Sequence, residues 1–163
     1  MSEWELVGRV ALGFGLTFAI GFERELRGGP VGDRTYALIG TAGAALAAVA
    51  LAHNAGNAIA GMITGVGFVG GALLFRGQTG VVRGITGASA VLAATVVGVV
   101  AGAGYPWLAA VATGLVLFSL ELRYIPLLSF LDSRRYAGRF RGEEDPPWNG
   151  PSGGEAEPPA APR

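Results

Sequence analysis

The 163-residue chain has no cysteine and no lysine, and all twelve of its basic residues are arginine. Without cysteine there are no disulfides, no thiol nucleophile and no thiolate metal site. Histidine occurs once, at His53, and a lone imidazole with no carboxylate or serine nearby in sequence makes no catalytic site. No phosphate-cradling Walker loop, zinc-binding HExxH pair or nucleophile elbow is present. With no acid, base and nucleophile set, no enzymatic activity is expected. Charge is also scarce: Asp, Glu, Lys and Arg make up 15% of residues, against about 25% in soluble domains. The formal net charge is zero, so nothing marks a nucleic-acid partner.

What the chain has instead is apolar length. Hydrophobic residues account for 51% of it, glycine for 28 residues, and mean hydropathy is +0.47. From Ala55 to Phe75 run 21 residues with no charge and six glycines. A helix of about 20 residues spans a hydrocarbon core about 30 Å thick. Five such segments are predicted: Leu6–Phe22, Thr35–Ala52, Ala55–Phe75, Ile85–Ala103 and Tyr105–Leu122. Trp4, Tyr105, Trp107 and Tyr124 suit the interfacial aromatic belts, and Arg9 can snorkel to nearby headgroups. The acidic start, MSEWELVGR, and the lack of a small-residue cleavage pattern argue against a removed signal sequence.

The connecting segments alternate. Arg24, Arg27 and Arg34 lie around the first, and Arg76 and Arg83 in the third. Arg123, Arg134, Arg135, Arg139 and Arg141 follow the last span, while the second and fourth connections hold no arginine. Five spans put every arginine-rich segment on one side, which the positive-inside bias makes cytoplasmic. The expected fold is therefore all-α: a five-span polytopic transmembrane bundle over residues 1–124, N-terminus outside and C-terminus cytoplasmic. A basic juxtamembrane segment (125–141) comes next, each arginine contributing about 1 kcal/mol near an anionic surface. Residues 142–163, rich in proline, glycine and acid, read as a disordered tail.

Candidate functional residues gather where the first two spans meet. Glu23-Arg24-Glu25 closes one and Gly32-Asp33-Arg34-Thr35 opens the next. Such a cluster at a bundle mouth can bind a cation or gate a pathway. Alternatively these are solvated end charges, with Asp33 or Thr35 capping the second helix and Glu121 pairing with Arg123 or facing water. In the third span Gly61 and Gly65, then Gly67 and Gly71, form GxxxG pairs with Gly70 beside them. Close helix packing is expected there, or else a broken helix lining a polar cavity. Thr86, Ser89 and Thr95 in the fourth span bond their own backbone or a neighbour, Thr86 and Ser89 being the candidates for a polar lining.

Taken in order, GFERELRGGPVGDRTYALIGTAGAAL and GMITGVGFVGGALLFRGQTGVVRGITGASAVLAATVVGVVAGAG resemble the MgtC/SapB family of bacterial membrane proteins. Glu23-Arg24, Gly32-Asp33-Arg34-Thr35, the Gly65–Gly71 core and Gly84-Ile85-Thr86 carry the resemblance, which extends over about residues 10 to 122. It implies a multi-pass inner-membrane domain, embedded in the lipid bilayer and linked to magnesium homeostasis. In some relatives it also implies survival in host cells and modulation of a membrane ATPase. Regulation through a membrane ATPase or transporter partner is the expected role, and a cation or small-solute channel built by a homo-oligomer is the alternative. No cofactor is expected, magnesium being the one candidate ion. By position, Glu23, Arg24, Asp33, Arg34 and the glycine core become the functional candidates.

Overall fold

A computed structural model describes residues 2–74 and 84–122 as five helices: α1 (Glu3–Leu26), α2 (Asp33–Ala52), α3 (Gly56–Leu74), α4 (Ile85–Gly102) and α5 (Pro106–Glu121). No strand occurs among the described residues. All five helices fall in one compact unit, Met1–Glu121. The basic segment, the tail and the boundary expected at residue 124 lie outside the described residues.

α1 runs 24 residues, past both ends of the predicted span. At its start the Ser2 hydroxyl accepts the Glu5 N–H at 3.3 Å, and Glu3 and Glu5 sit in the first turn, where negative charge complements the helix dipole. At its end Gly28 takes φ +69°. Its N–H donates to the Glu25 carbonyl and that of Gly29 to the Arg24 carbonyl, a Schellman closure. The same device ends α2 with Asn54 at φ 54° and α4 with Gly104 at φ 91°. Pro106 then opens α5, where its missing N–H and fixed φ cost nothing.

The helices alternate in direction. The start of α1 meets the end of α4, where Arg9 Nη1 lies 3.5 Å from the Gly102 carbonyl oxygen. Instead of reaching freely for headgroups, Arg9 pairs with Glu5 at 2.6 Å. The end of α1 meets the end of α5 through Arg27 and Glu121. One end of the bundle thus carries Glu23 to Arg34 and Glu121; the opposite end carries Trp4, Tyr105 and Trp107, all exposed.

α4 touches all four other helices, α3 packs chiefly on α4 and α2, and α5 chiefly on α4 and α1. The tightest contacts are built from small residues spaced four apart, which let backbones approach. Gly13 and Thr17 of α1 face Ala44 and Gly40 of α2, and Gly40 and Ala44 also face Gly98 and Gly102 of α4. A methyl group at Gly98 would come within 2.8 Å of the Gly40 Cα, and one at Gly102 within 2.6 Å of the Ala44 Cα. Around this seam lie Ile20, Tyr36, Val91 and Val97, all nearly inaccessible. Large apolar side chains such as Phe14, Leu38, Phe68 and Leu115 point outward, as a lipid solvent permits.

Among the described residues, four helices are long and apolar enough to cross a membrane. α5, at 16 residues, spans about 24 Å.

Candidate functional site

The polar site forms where α1 ends and α2 begins. Gly21 brings the two backbones together: a methyl group there would lie 2.7 Å from both the Asp33 Cα and the Tyr36 Cβ. That approach drives the last turn of α1 against the first turn of α2. Glu23 and Arg24 therefore belong to α1 itself and not to a solvated linker.

Glu23 is 9% exposed, and neither carboxylate oxygen has a hydrogen-bond partner. The Arg27 guanidinium approaches it, with Nε 3.9 Å from Oε1. Arg24 and Glu121 also act on it electrostatically. Tyr36 is fully buried, with its hydroxyl beside the Arg24 guanidinium but outside hydrogen-bonding geometry; Arg24 Nε is buried and unpartnered too. Four buried polar atoms without a well-formed hydrogen bond thus gather within one turn of each helix. A charge or hydroxyl in such surroundings costs free energy unless it is satisfied, so this cluster is poised to take up a proton, a water or a small polar group.

Arg27 joins the site to α5. Its Nη2 donates to both Glu121 oxygens, at 2.7 and 2.6 Å. Glu121 therefore pairs with Arg27, while Arg123 lies outside the described residues. The cap of α2 also differs from expectation. Gly32 occupies the cap position without a side-chain bond, and neither Asp33 nor Thr35 caps. Glu25 of α1 does so from across the turn, accepting the Asp33 N–H at 2.9 Å.

The sequence-based candidates separate in space. Glu23 and Arg24 come together beside Tyr36 and the half-buried Asp33 sits against Glu25, whereas Arg34 and Thr35 are exposed on the outer side of α2. Thr86 and Ser89, exposed on α4, line a groove of about 310 Å³ against Leu115, Val116 and Ser119 of α5. Gly61, Gly65, Gly67 and Gly71 have open space where a side chain would stand, and Gly70 meets only Ala88 at 3.8 Å. Within the described chain, close packing lies in the α1–α2–α4 seam instead, and α3 is an unbroken helix.

Tyr36, Arg27 and Glu121 are the site residues that sequence reasoning missed. A signal existed for two of them: opposite charges ending the first and last of five alternating spans fall on the same side. Tyr36 gave less, because a phenol inside an apolar helix reads as an interfacial anchor.

Among the described residues no group of three or more His, Asp or Glu side chains comes together to hold a metal ion. Magnesium is bound through one or two carboxylates with several waters. One buried carboxylate flanked by Arg24 and Arg27 does not fit a resident magnesium site.

The match to known proteins covers residues 10–125, which takes in α1 from Val10 onward, all of α2 to α5 and the whole polar cluster. The chain belongs to the MgtC family. It is a multi-pass inner-membrane protein, and the family is linked to magnesium homeostasis. A relative from Haemophilus influenzae, described only as an uncharacterized protein, is 30% identical over 130 residues. The alignment takes in 72% of this chain and 55% of that protein, so the chain spans about half the length of this relative. No solved structure matches.

Proposed function

We propose that this protein regulates magnesium and ion homeostasis by contact with another inner-membrane complex, a membrane ATPase or transporter, without itself conducting ions or catalysing a reaction. The observation carrying this is the distribution of buried polar groups. Outside the cluster of Glu23, Arg24 and Tyr36, the buried polar side chains among the described residues are Thr17, Thr95 and Thr113. Each donates its hydroxyl back to its own helix, to the carbonyls of Gly13, Val91 and Ala109 at 2.8 to 2.9 Å. Those hydroxyls are satisfied locally, and no chain of polar groups crosses the described bundle. All the chemistry is concentrated at the arginine-rich end, which the positive-inside rule places in the cytoplasm. Glu23, Arg24 and Tyr36 supply the responsive core, and the exposed Arg34 and Thr35 supply a surface for contact.

Two measurements test this. Purified protein in liposomes should pass no magnesium, potassium or protons. In cells held at limiting magnesium, crosslinking from position 35 should capture a membrane complex, and Glu23→Gln should abolish the growth phenotype at normal protein abundance. Cation flux in liposomes that disappears in Glu23→Ala overturns the proposal and makes the protein a transporter.

A further inference from the structure

The lipid-facing seam between α1 and α2 carries a second feature, separate from the polar cluster. At the charged end it opens into a groove of about 460 Å³, lined by Phe14 and Phe18 of α1 and by Arg34, Ala37, Leu38 and Thr41 of α2. No residue of α3, α4 or α5 contributes. Phe14 and Phe18 stack along one wall at a centroid distance of 5.9 Å, and Phe22 continues the stack beyond the groove at 6.2 Å. Arg34 to Thr41 covers two turns of helix, so the groove runs about 10 Å into the membrane.

Arg34 is anomalous where it stands. It occupies the first turn of α2, the end of the helix dipole that disfavours a cation. Among the described residues it makes no ion pair or hydrogen bond, unlike Arg9 and Arg27. The nearby carboxylates, Glu25 and Asp33, line a separate hollow of about 170 Å³ with Phe22 and Leu26. A positive charge thus stands at the mouth of an apolar groove, with no acid in its lining. The opposite end of the same seam gives an internal control: a groove of about 360 Å³ with Val7, Val10 and Ala11 facing Ala45 and Val49, and no charged residue at all.

We infer that the charged-end groove binds one anionic phospholipid of the cytoplasmic leaflet. Its acyl chain lies along Phe14, Phe18 and Leu38, and its headgroup phosphate rests on Arg34. The phosphate satisfies the guanidinium and also complements the positive end of the α2 dipole. The outer groove accepts acyl chains without regard to headgroup.

Native mass spectrometry of the full chain in neutral detergent, titrated with phosphatidylglycerol or with phosphatidylcholine of identical chains, tests this. The wild type should prefer phosphatidylglycerol about fivefold, the amount expected for one arginine near an anionic headgroup. Arg34→Gln should erase the preference and Arg34→Lys should restore most of it. Leu38→Trp, which fills the groove, should weaken both lipids, while Val49→Trp in the outer groove should leave the preference intact. Equal binding of the two lipids by the wild type, or a preference that survives Arg34→Gln, overturns the inference. So does efficient self-crosslinking through position 38 in lipid-depleted protein, which would make a second copy the occupant.

Discussion

α3 and α4 are two glycine-bearing helices of nearly equal length with opposite uses of their glycines. In α4, Gly98 and Gly102 press against the backbone of α2, and half of its most apolar stretch is buried. In α3, four of the six glycines come in GxxxG pairs that touch nothing, and only 11% of the corresponding stretch is buried. The motif alone therefore does not identify a packing surface. What matters is whether the facing helix also offers small residues at matching levels. α4 meets Gly40 and Ala44, four residues apart like its own pair. Nothing in the described chain mirrors the glycines of α3.

The largest expected effect comes from breaking the seam. Gly98→Leu forces α2 and α4 apart at a point where even a methyl group collides with the Gly40 backbone. Overpacking of this kind costs about 1–3 kcal/mol, and more when backbone must move. We expect loss of the folded protein on detergent extraction, with Gly98→Ala extractable but melting earlier by circular dichroism. Unchanged melting for Gly98→Ala would mean that the two helices are not in backbone contact.

Next in size are the turns. Gly28 has open space around it, so Gly28→Ala tests conformation alone. At φ +69° a Cβ costs about 1–2 kcal/mol. The melting temperature should fall, less than for Gly98→Leu, and the α1–α2 corner should become the first site of limited proteolysis. Cleavage elsewhere first would show that this corner does not limit stability.

Much of this was legible in the sequence, for a physical reason. A bilayer demands long apolar helices, so five apolar runs, with arginine in alternate connections, settle the element order, and α2, α4 and α5 begin and end within two residues of the predicted spans. The ends of α1 were harder. Ser2 capping and the Schellman closure at Gly28 extend that helix through charged residues that hydropathy assigns to water. The location of the charged cluster was readable too. Its division was not, because burial depends on which side of α2 faces α1. Tyr36 and Arg34 are only two residues apart, yet one is enclosed and the other open. Gly98 and Gly102 carried the spacing of a packing motif in plain view, but choosing them over Gly61 and Gly65 required knowing what stands opposite.

A smaller effect separates α5 from α3 as partners of α4. α5 has the Arg27–Glu121 link to α1, whereas no ion pair reaches α3 among the described residues. The pair is about one-third exposed on both sides, so its coupling should be modest, about 0.5–1 kcal/mol in a cycle of Arg27→Gln, Glu121→Gln and the double variant. Because Arg27 also neighbours Glu23, Arg27→Gln should cost more than Glu121→Gln. Equal costs would mean that Glu23 gains nothing from Arg27.

The smallest expected effect sharpens the comparison most. Gly61→Ala and Gly65→Ala place a methyl in open space and raise helix propensity by up to about 1 kcal/mol each. Melting of the single chain should be unchanged or slightly raised. If the double variant nevertheless loses function in cells at normal abundance, the α3 glycines serve a contact outside the chain, either with another copy or with the regulated complex. If function persists as well, they serve no close contact, and only the glycines of α1, α2 and α4 are needed to bring helices together.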